Sequence, residues 1–354
     1  MNTTGTTAAS QRRSTAEAPR RSTGNRHVAR ALWYVQPGVV ELRPSTLPPL
    51  KPGEARVRTH FSGISRGTER LVLTGHVPLS EHEPMRAPLQ EGRFPFPVKY
   101  GYSAAGIVED GPAELIGRPV FCLHPHQDLF HAPVAMLVPL PAGLPPRRAT
   151  LAANMETALN ALWDSGAGPG DRIVIVGAGI VGLLVAALAT RLPGTQVTVI
   201  DIAIERRALV ETIGAGFATP DATTPDAAPL DADTVFHTSA TSAGLDTAIA
   251  TCGLEATLVE LSWYGDAPVT VELGGAFHSR RLKLVSSQVG LLSPTRRPRW
   301  THTRRLEKAL ELLNDPVFDH LVASEAAFAD LPTRLPGILT SSATTLPPVI
   351  RYQL

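Results

Sequence analysis

Cysteine is nearly absent: Cys122 and Cys252 are the only two in 354 residues. Two cannot build a disulfide framework or a four-cysteine zinc lobe. With no export signal ahead of the first strand, they predict a reducing, cytoplasmic setting. Lysine is scarce too, four against 29 arginines. No apolar run is long enough for a membrane. The most apolar stretch, Val174 to Ala189, is short for a bilayer span and has three glycines near its start.

Charge of one sign is lacking as well, since the formal net charge is only +1. It is unevenly placed. Residues 1–30 carry six arginines and one acid, Glu17, which leaves 27 bases against 31 acids in the rest. A mildly acidic body has no basic face for phosphates, so a nucleic-acid partner is excluded. Residues 1–27 are rich in Thr, Ser, Ala and Arg with almost no large apolar groups. Such a segment cannot offset its ordering entropy, and it reads as a disordered basic arm.

What is present suffices for two cores, because 43% of residues are hydrophobic. From 28 to 150, short apolar stretches at 31–35, 38–42, 55–61, 104–109 and 119–123 are separated by Pro and Gly. That spacing predicts a compact β barrel or sandwich. The texture changes near Leu151: Leu151, Met155, Leu159 and Leu162 recur at helical spacing over 151–163. Strands at 172–176, 196–201, 234–239, 256–261 and 281–287 follow, most separated by helical stretches. This is the pattern of a doubly wound parallel sheet over 151–290, so the fold class is α/β. Beyond it, a helix is predicted at 304–313, a β segment near 318–323, a short helix at 331–339 and a last strand at 349–353.

Gly177, Gly179 and Gly182 follow a buried strand and open an apolar helix. The first glycine permits the tight turn, the second lets backbone approach a pyrophosphate, and the third allows close helix–strand packing. The helix start, Ile180 and Val181, offers N–H groups to that phosphate. Asp201 stands nineteen residues past Gly182, at the end of the next strand, where a carboxylate accepts ribose hydroxyls. The same carboxylate repels a 2′-phosphate, so NAD is expected rather than NADP. Arg206 and Arg207 keep NADP open, since an arginine here can stack on adenine or pair with phosphate.

The stretches 62–69 (SGISRGTE), 100–108 (YGYSAAGIV) and 117–121 (GRPVF), with the 177–182 fingerprint, resemble the medium-chain dehydrogenase/reductase superfamily. The resemblance spans about 28–354. It implies a GroES-like catalytic domain over 28–150, a Rossmann domain over 151–290, and a return segment, 291–354, completing the first. Residues 63–71 are also similar to bacteriochlorophyllide dehydrogenases, and the layout to threonine and polyol dehydrogenases. Zinc members carry Cys where Ser65 stands, His-Glu where Tyr102-Ser103 stand, and a later ligand near Ala153. Hydroxyls and a methyl group do not make a zinc site, so no metal ligand is assigned.

Without zinc, side chains must handle the hydroxyl proton. The resemblance puts Thr68 at the family's hydroxyl relay. Tyr102 is either a phenolic acid/base or a barrel tyrosine packed on the sheet. His124 and His126 would face one side of an extended chain, which suits a proton shuttle, a small metal site or a core role. Glu156 lies on a helical face different from Leu151 and Met155, and reads as reaching the cleft or as an interdomain salt bridge. Ser239 falls where the family surrounds the nicotinamide ribose. Trp263 and Tyr264 can wall a substrate pocket or a subunit interface, and Arg280 or Arg281 can hold an anion.

The expected function is zinc-independent, NAD(P)-dependent interconversion of an alcohol and a carbonyl, in a homodimer or homotetramer. The alcohol would be a small molecule or peptide-borne; a β-hydroxy acid or a threonine residue would permit later decarboxylation. Two alternatives stay open: a quinone-oxidoreductase-like reductase of an activated double bond, and a catalytically inactive nucleotide-binding protein.

Overall fold

A computed structural model describes Met1 and residues 28–223, 231–341 and 344–353. The predicted disordered arm therefore lies, apart from Met1, outside the described residues.

The amino-terminal half is built on two sheets. Strands Val28–Gln36 and Val39–Thr46 form an antiparallel hairpin, with Leu32 opposite Leu42. In Glu54–Ser62, Ala55, Val57 and Thr59 are buried at alternate positions, the mark of a strand with one face on a core. This strand pairs with Ala104–Asp110 on one side and Val349–Arg351 on the other, while Leu129–Pro133 also pairs along it. Ile350 lies opposite Ser62, so the end of the chain completes the sheet begun by its start.

The second half is one parallel sheet of six strands. Their spatial order is Gly216–Ala218, Gln196–Ile200, Arg172–Val176, Ala232–His237, Cys252–Glu260 and Lys283–Ser286. Ile173, Val174 and Ile175 are buried in succession rather than alternately, because helices cover both faces. The order reverses between Arg172–Val176 and Ala232–His237, which opens a crevice at the carboxyl ends of those two strands. Helix Ala152–Ser165 leads into this sheet and stops at Gly166, whose φ of +72° suits a left-handed cap.

One predicted element is corrected. The β segment expected near 318–323 is a 3₁₀ helix, Pro316–Val322. Asp315 caps it by accepting from Val317 N–H, Pro316 fixes the first turn, and Phe318, Leu321 and Val322 are buried at helical rather than alternating spacing. Among the described residues no helix is long and apolar enough to cross a membrane.

Candidate active site

The glycine turn has three distinct jobs. Gly177 adopts φ +111°, and a Cβ there would stand 2.7 Å from Thr238 Oγ1. A Cβ on Gly182 would stand 2.0 Å from the Gly177 carbonyl oxygen. Both are closed to any side chain by protein. Gly179 is different: a Cβ there meets nothing within 4 Å, and the residue is exposed. Its open side lies at the start of helix Ile180–Ala189, whose first N–H groups have no intrahelical partner. Room at a positive helix end fits a pyrophosphate.

Charges frame this turn. Asp201 Oδ2 accepts from Ala178 N–H at 2.6 Å, and Oδ1 from Ala203 N–H at 2.8 Å. Arg206 is buried and donates to the Ala178 carbonyl at 3.3 Å. Burial lowers the Arg206 guanidinium, while Asp201 and Glu205 support its charge. Arg66 comes from the other domain, at the start of helix Arg66–Thr74. Burial and then the nearby Arg206 and Arg70 charges depress it, and its buried Nε has no hydrogen-bond partner. Two guanidinium charges from two domains thus act on each other, one of them on the glycine turn at Ala178. An anion would relieve Arg66. Sequence reasoning missed Arg66; the signal was a cation directly after Ser65 in the motif.

Thr68 and Tyr102 are brought together. The Ser65 and Thr68 hydroxyls lie close enough to the Tyr102 phenol to favour its ionised form. Burial pushes this phenol up, the two hydroxyls draw it partly back, and the Glu69 carboxylate adds to the rise. The loop reaches this position because Gly63 has no side chain: a Cβ would stand 2.7 Å from the Thr150 carbonyl. Gly63 N–H donates to the Ser103 carbonyl, and Ser103 Oγ donates to the Thr150 carbonyl at 2.5 Å. Glu69 anchors the loop from below, with Oε1 accepting from Ser65 N–H at 2.7 Å.

The two predicted histidines do not join that cluster as a shuttle. The strand ends at Cys122, so the alternation of an extended chain does not reach 124 and 126. His124 is buried, its Nδ1 on the Pro125 carbonyl at 2.8 Å and its ring stacked on Phe130 at 3.7 Å. Burial, with the Lys99 charge, pushes it down to about 3, so it is a neutral barrel residue. His126 lies under the loop, with Nε2 3.1 Å from Glu69 and Nδ1 2.8 Å from Ser62 Oγ. Tyr34 donates to the same Glu69 oxygen at 2.7 Å, and Tyr352 lies 2.9 Å from Ser62 Oγ.

Glu156 is engaged by a partner of its own. It pairs with Arg305 at 3.0 Å, and both side chains are buried. Arg305 also donates to Asn160 and to the Val289 carbonyl, so the group ties helix Ala152–Ser165 to helix His302–Leu312. Burial raises the Glu156 carboxyl and Arg305 opposes the rise.

At the far wall, Trp263 packs with Tyr102 against the apolar cluster of the amino-terminal domain. Gly265 permits this docking, because a Cβ would stand 2.4 Å from the His76 carbonyl oxygen. Arg280 donates to the Cys252 carbonyl at 2.6 Å, and Arg281 pairs with Glu255 on the surface. Arg207 stacks over Phe217 at 4.8 Å. Ser239 lies at the crevice, its backbone N 3.0 Å from the place a Gly177 Cβ would take. Among the described residues no three His, Cys, Asp or Glu side chains gather where a metal ion would fit. The hydroxyl and phenol at Ser65, Thr68 and Tyr102 are not a zinc donor set.

A GroES-like barrel joined to a Rossmann-type parallel sheet is the α/β fold of this chain, and it is shared with solved dehydrogenase structures. Residues 164–256 match the family described as alanine dehydrogenase/PNT, C-terminal domain. The whole chain is similar in fold to galactitol-1-phosphate dehydrogenase from Escherichia coli, at 17% identity and TM-score 0.71, over 91% of this chain and 99% of that one. L-Idonate 5-dehydrogenase from Escherichia coli K-12 is similar at 15% identity and TM-score 0.74, over 93% and 99%. A short chain alcohol dehydrogenase (rspB) from E. coli CFT073, complexed with NADH, is similar at 13% identity and TM-score 0.71, over 92% and 99%. The fold also occurs with NADP bound, in a Sinorhizobium meliloti protein.

Proposed function

We propose that this chain is a zinc-independent, nicotinamide-dependent oxidoreductase acting between an alcohol and a carbonyl, with Tyr102 as its acid. The observation that carries the reading is the approach of Ser65 and Thr68 to Tyr102, on a loop whose Gly63 and Ile64 line one small cavity with Ile180 at the start of the open glycine-turn helix. NAD, when bound, supplies the hydride acceptor, and its reduced form the donor.

The chain's own residues do the rest. Gly179 and the N–H groups at Ile180 and Val181 receive the pyrophosphate, and Arg66 and Arg206 neutralise it from both domains. Asp201 accepts the adenosine ribose hydroxyls and disfavours a 2′-phosphate, so NAD is preferred. Tyr102 stays protonated at neutral pH and donates to the oxygen of a carbonyl substrate as negative charge develops there. Ser65 and Thr68 hydrogen-bond the phenolate that results, and Glu69 fixes their loop by a backbone bond. Trp263 closes the apolar side of the pocket. A peptide-borne threonine or β-hydroxy acid fits this chemistry, with loss of carbon dioxide following oxidation.

The test is Tyr102→Phe, assayed for NADH-dependent reduction of a panel of small ketones. Loss of a general acid lowers turnover about 10²–10⁴-fold, with NADH binding unchanged. Equal turnover in the two proteins would remove Tyr102 from this role.

A further inference from the structure

A second constellation stands at the carboxyl edge of the parallel sheet. His237 ends strand Ala232–His237 and lies in register with Glu260, which ends the neighbouring strand Cys252–Glu260. His237 Nδ1 is 2.7 Å from Glu260 Oε2, and His237 Nε2 is 2.7 Å from Ser239 Oγ. The imidazole is fully buried, Glu260 is 16% exposed, and Ser239 is half-buried at the crevice.

Three further hydroxyls touch this chain: Thr241 Oγ1 lies 3.1 Å from Ser239 Oγ, and the Tyr264 hydroxyl and Ser262 Oγ lie 3.3 and 3.4 Å from His237 Nδ1. Glu260 Oε1 accepts from Ser262 N–H at 2.7 Å, and Oε2 from the Tyr264 hydroxyl at 3.1 Å. Burial would raise this carboxyl, but the His237 and Ser262 bonds outweigh it and hold it below the ordinary range. An anionic Glu260 that accepts a hydrogen bond from Nδ1–H selects the tautomer whose Nε2 accepts from the Ser239 hydroxyl. The spacing is also defended by a glycine. A Cβ on Gly244, inside helix Ser242–Thr251, would stand 2.0 Å from Ser239 Oγ and 2.9 Å from His237 Nε2. Glycine costs about 1 kcal/mol in a helix interior relative to alanine, yet no other residue leaves this room. Ala240, directly after Ser239, takes φ +54°, a left-handed turn that is uncommon for a side-chain residue.

Nucleophile, base and orienting carboxylate within hydrogen-bond reach are the signature of an activated serine, recognised by geometry and not by sequence order. We propose that Ser239, His237 and Glu260 form a nucleophilic triad that gives this chain a hydrolytic activity on small activated esters, separate from its oxidoreductase chemistry. Ser239 Oγ attacks the ester carbonyl carbon while its proton passes to His237 Nε2. The carbon–oxygen bond to the alcohol breaks, and the alcohol leaves with that proton. Water then attacks the acyl-serine, His237 takes its proton, the acid departs and the proton returns to Ser239 Oγ. Ester and water become acid and alcohol, with no oxidant or cofactor consumed. Helix Ser242–Thr251 begins three residues beyond Ser239, so its positive end lies at this edge of the sheet, where oxyanion charge develops.

The experiment treats the full chain, without nicotinamide, with a fluorophosphonate and maps the adduct by peptide mass spectrometry. One phosphonyl group on Ser239 is expected. Hydrolysis of p-nitrophenyl acetate should fall at least about 10²-fold in Ser239→Ala. Glu260→Gln, a milder change than replacing the buried histidine, should lower both rates while leaving a folded protein by circular dichroism. A folded chain unlabelled at Ser239, or ester hydrolysis unchanged in Ser239→Ala, would overturn the proposal. Because no nicotinamide is added, neither outcome depends on the oxidoreductase reading.

Discussion

In the barrel, His126 and Glu69 are 0% and 1% exposed, and the side chains bonded around them, Tyr34, Ser62 and Tyr352, are buried too. At the sheet edge, His237 is as buried as His126, but Glu260 keeps 16% exposure and the chain of bonds runs through Ser239, which borders the crevice, to the exposed Thr241. Both are histidine–carboxylate pairs of similar length. The first is closed, and its work is to hold the Ser65–Glu69 loop under the Tyr102 hydroxyl. The second is open at one end, and it delivers basicity to a hydroxyl that a ligand can reach. The difference teaches that burial of the carboxylate, not the presence of the pair, separates a supporting contact from a reactive one.

That contrast can be broken by stability. Glu69→Ala leaves the buried His126 and Tyr34 side chains without their acceptor, and should cost about 3–5 kcal/mol of unfolding free energy in a urea titration. Glu260→Ala opens onto solvent and should cost about 1–2 kcal/mol. Equal losses would erase the distinction between closed and open pairs.

His124 sharpens it from the other direction, as a buried histidine with no carboxylate at all. Its folded pKa, about 3, lies far below the ordinary histidine value. The unfolded chain therefore binds a proton that the folded chain refuses. The stability this represents is intact above pH 6.5 and is lost as pH falls toward 3. At pH 5 the loss from this group is about 2 kcal/mol. His124→Gln should flatten the fall in stability between pH 7 and pH 5; an unchanged slope would mean that other groups dominate acid sensitivity.

Asp201 gives the smallest effect. Asp201→Ala should weaken NAD binding about tenfold or more, the worth of a charge-assisted bond, and NADP binding less. Calorimetric titration with both nucleotides checks this, and an equal loss would remove the basis for preferring NAD.

Much of the fold was legible because its signals are local. The glycine turn, the acid at 201 and the apolar helix lie within one βα unit, and local spacing alone places them together. The same holds for Thr68 and Tyr102 only through the family resemblance, since 34 residues separate them in sequence and a barrel joins them. The site residues that sequence reasoning passed over depend on long-range register. His237 and Glu260 meet because two parallel strands pair at those residues, which no periodicity specifies. Arg66 feels the Arg206 charge across a domain boundary. His124 and His126 were expected on one face of a strand, but the strand stops at Cys122 and each side chain finds its own partners in the barrel. Glu156 shows the limit of a helical wheel: its face differs from that of Met155, but that face is covered by Arg305.

The central claim is that hydroxyls and a phenol replace a metal in nicotinamide-dependent chemistry. The most direct measurement is NADH-dependent ketone reduction by protein treated with a strong zinc chelator, with metal content determined on the same sample. The account predicts turnover unchanged by the chelator at well under one zinc per chain. One tightly bound zinc per chain, with activity lost on its removal and restored by adding it back, would contradict it.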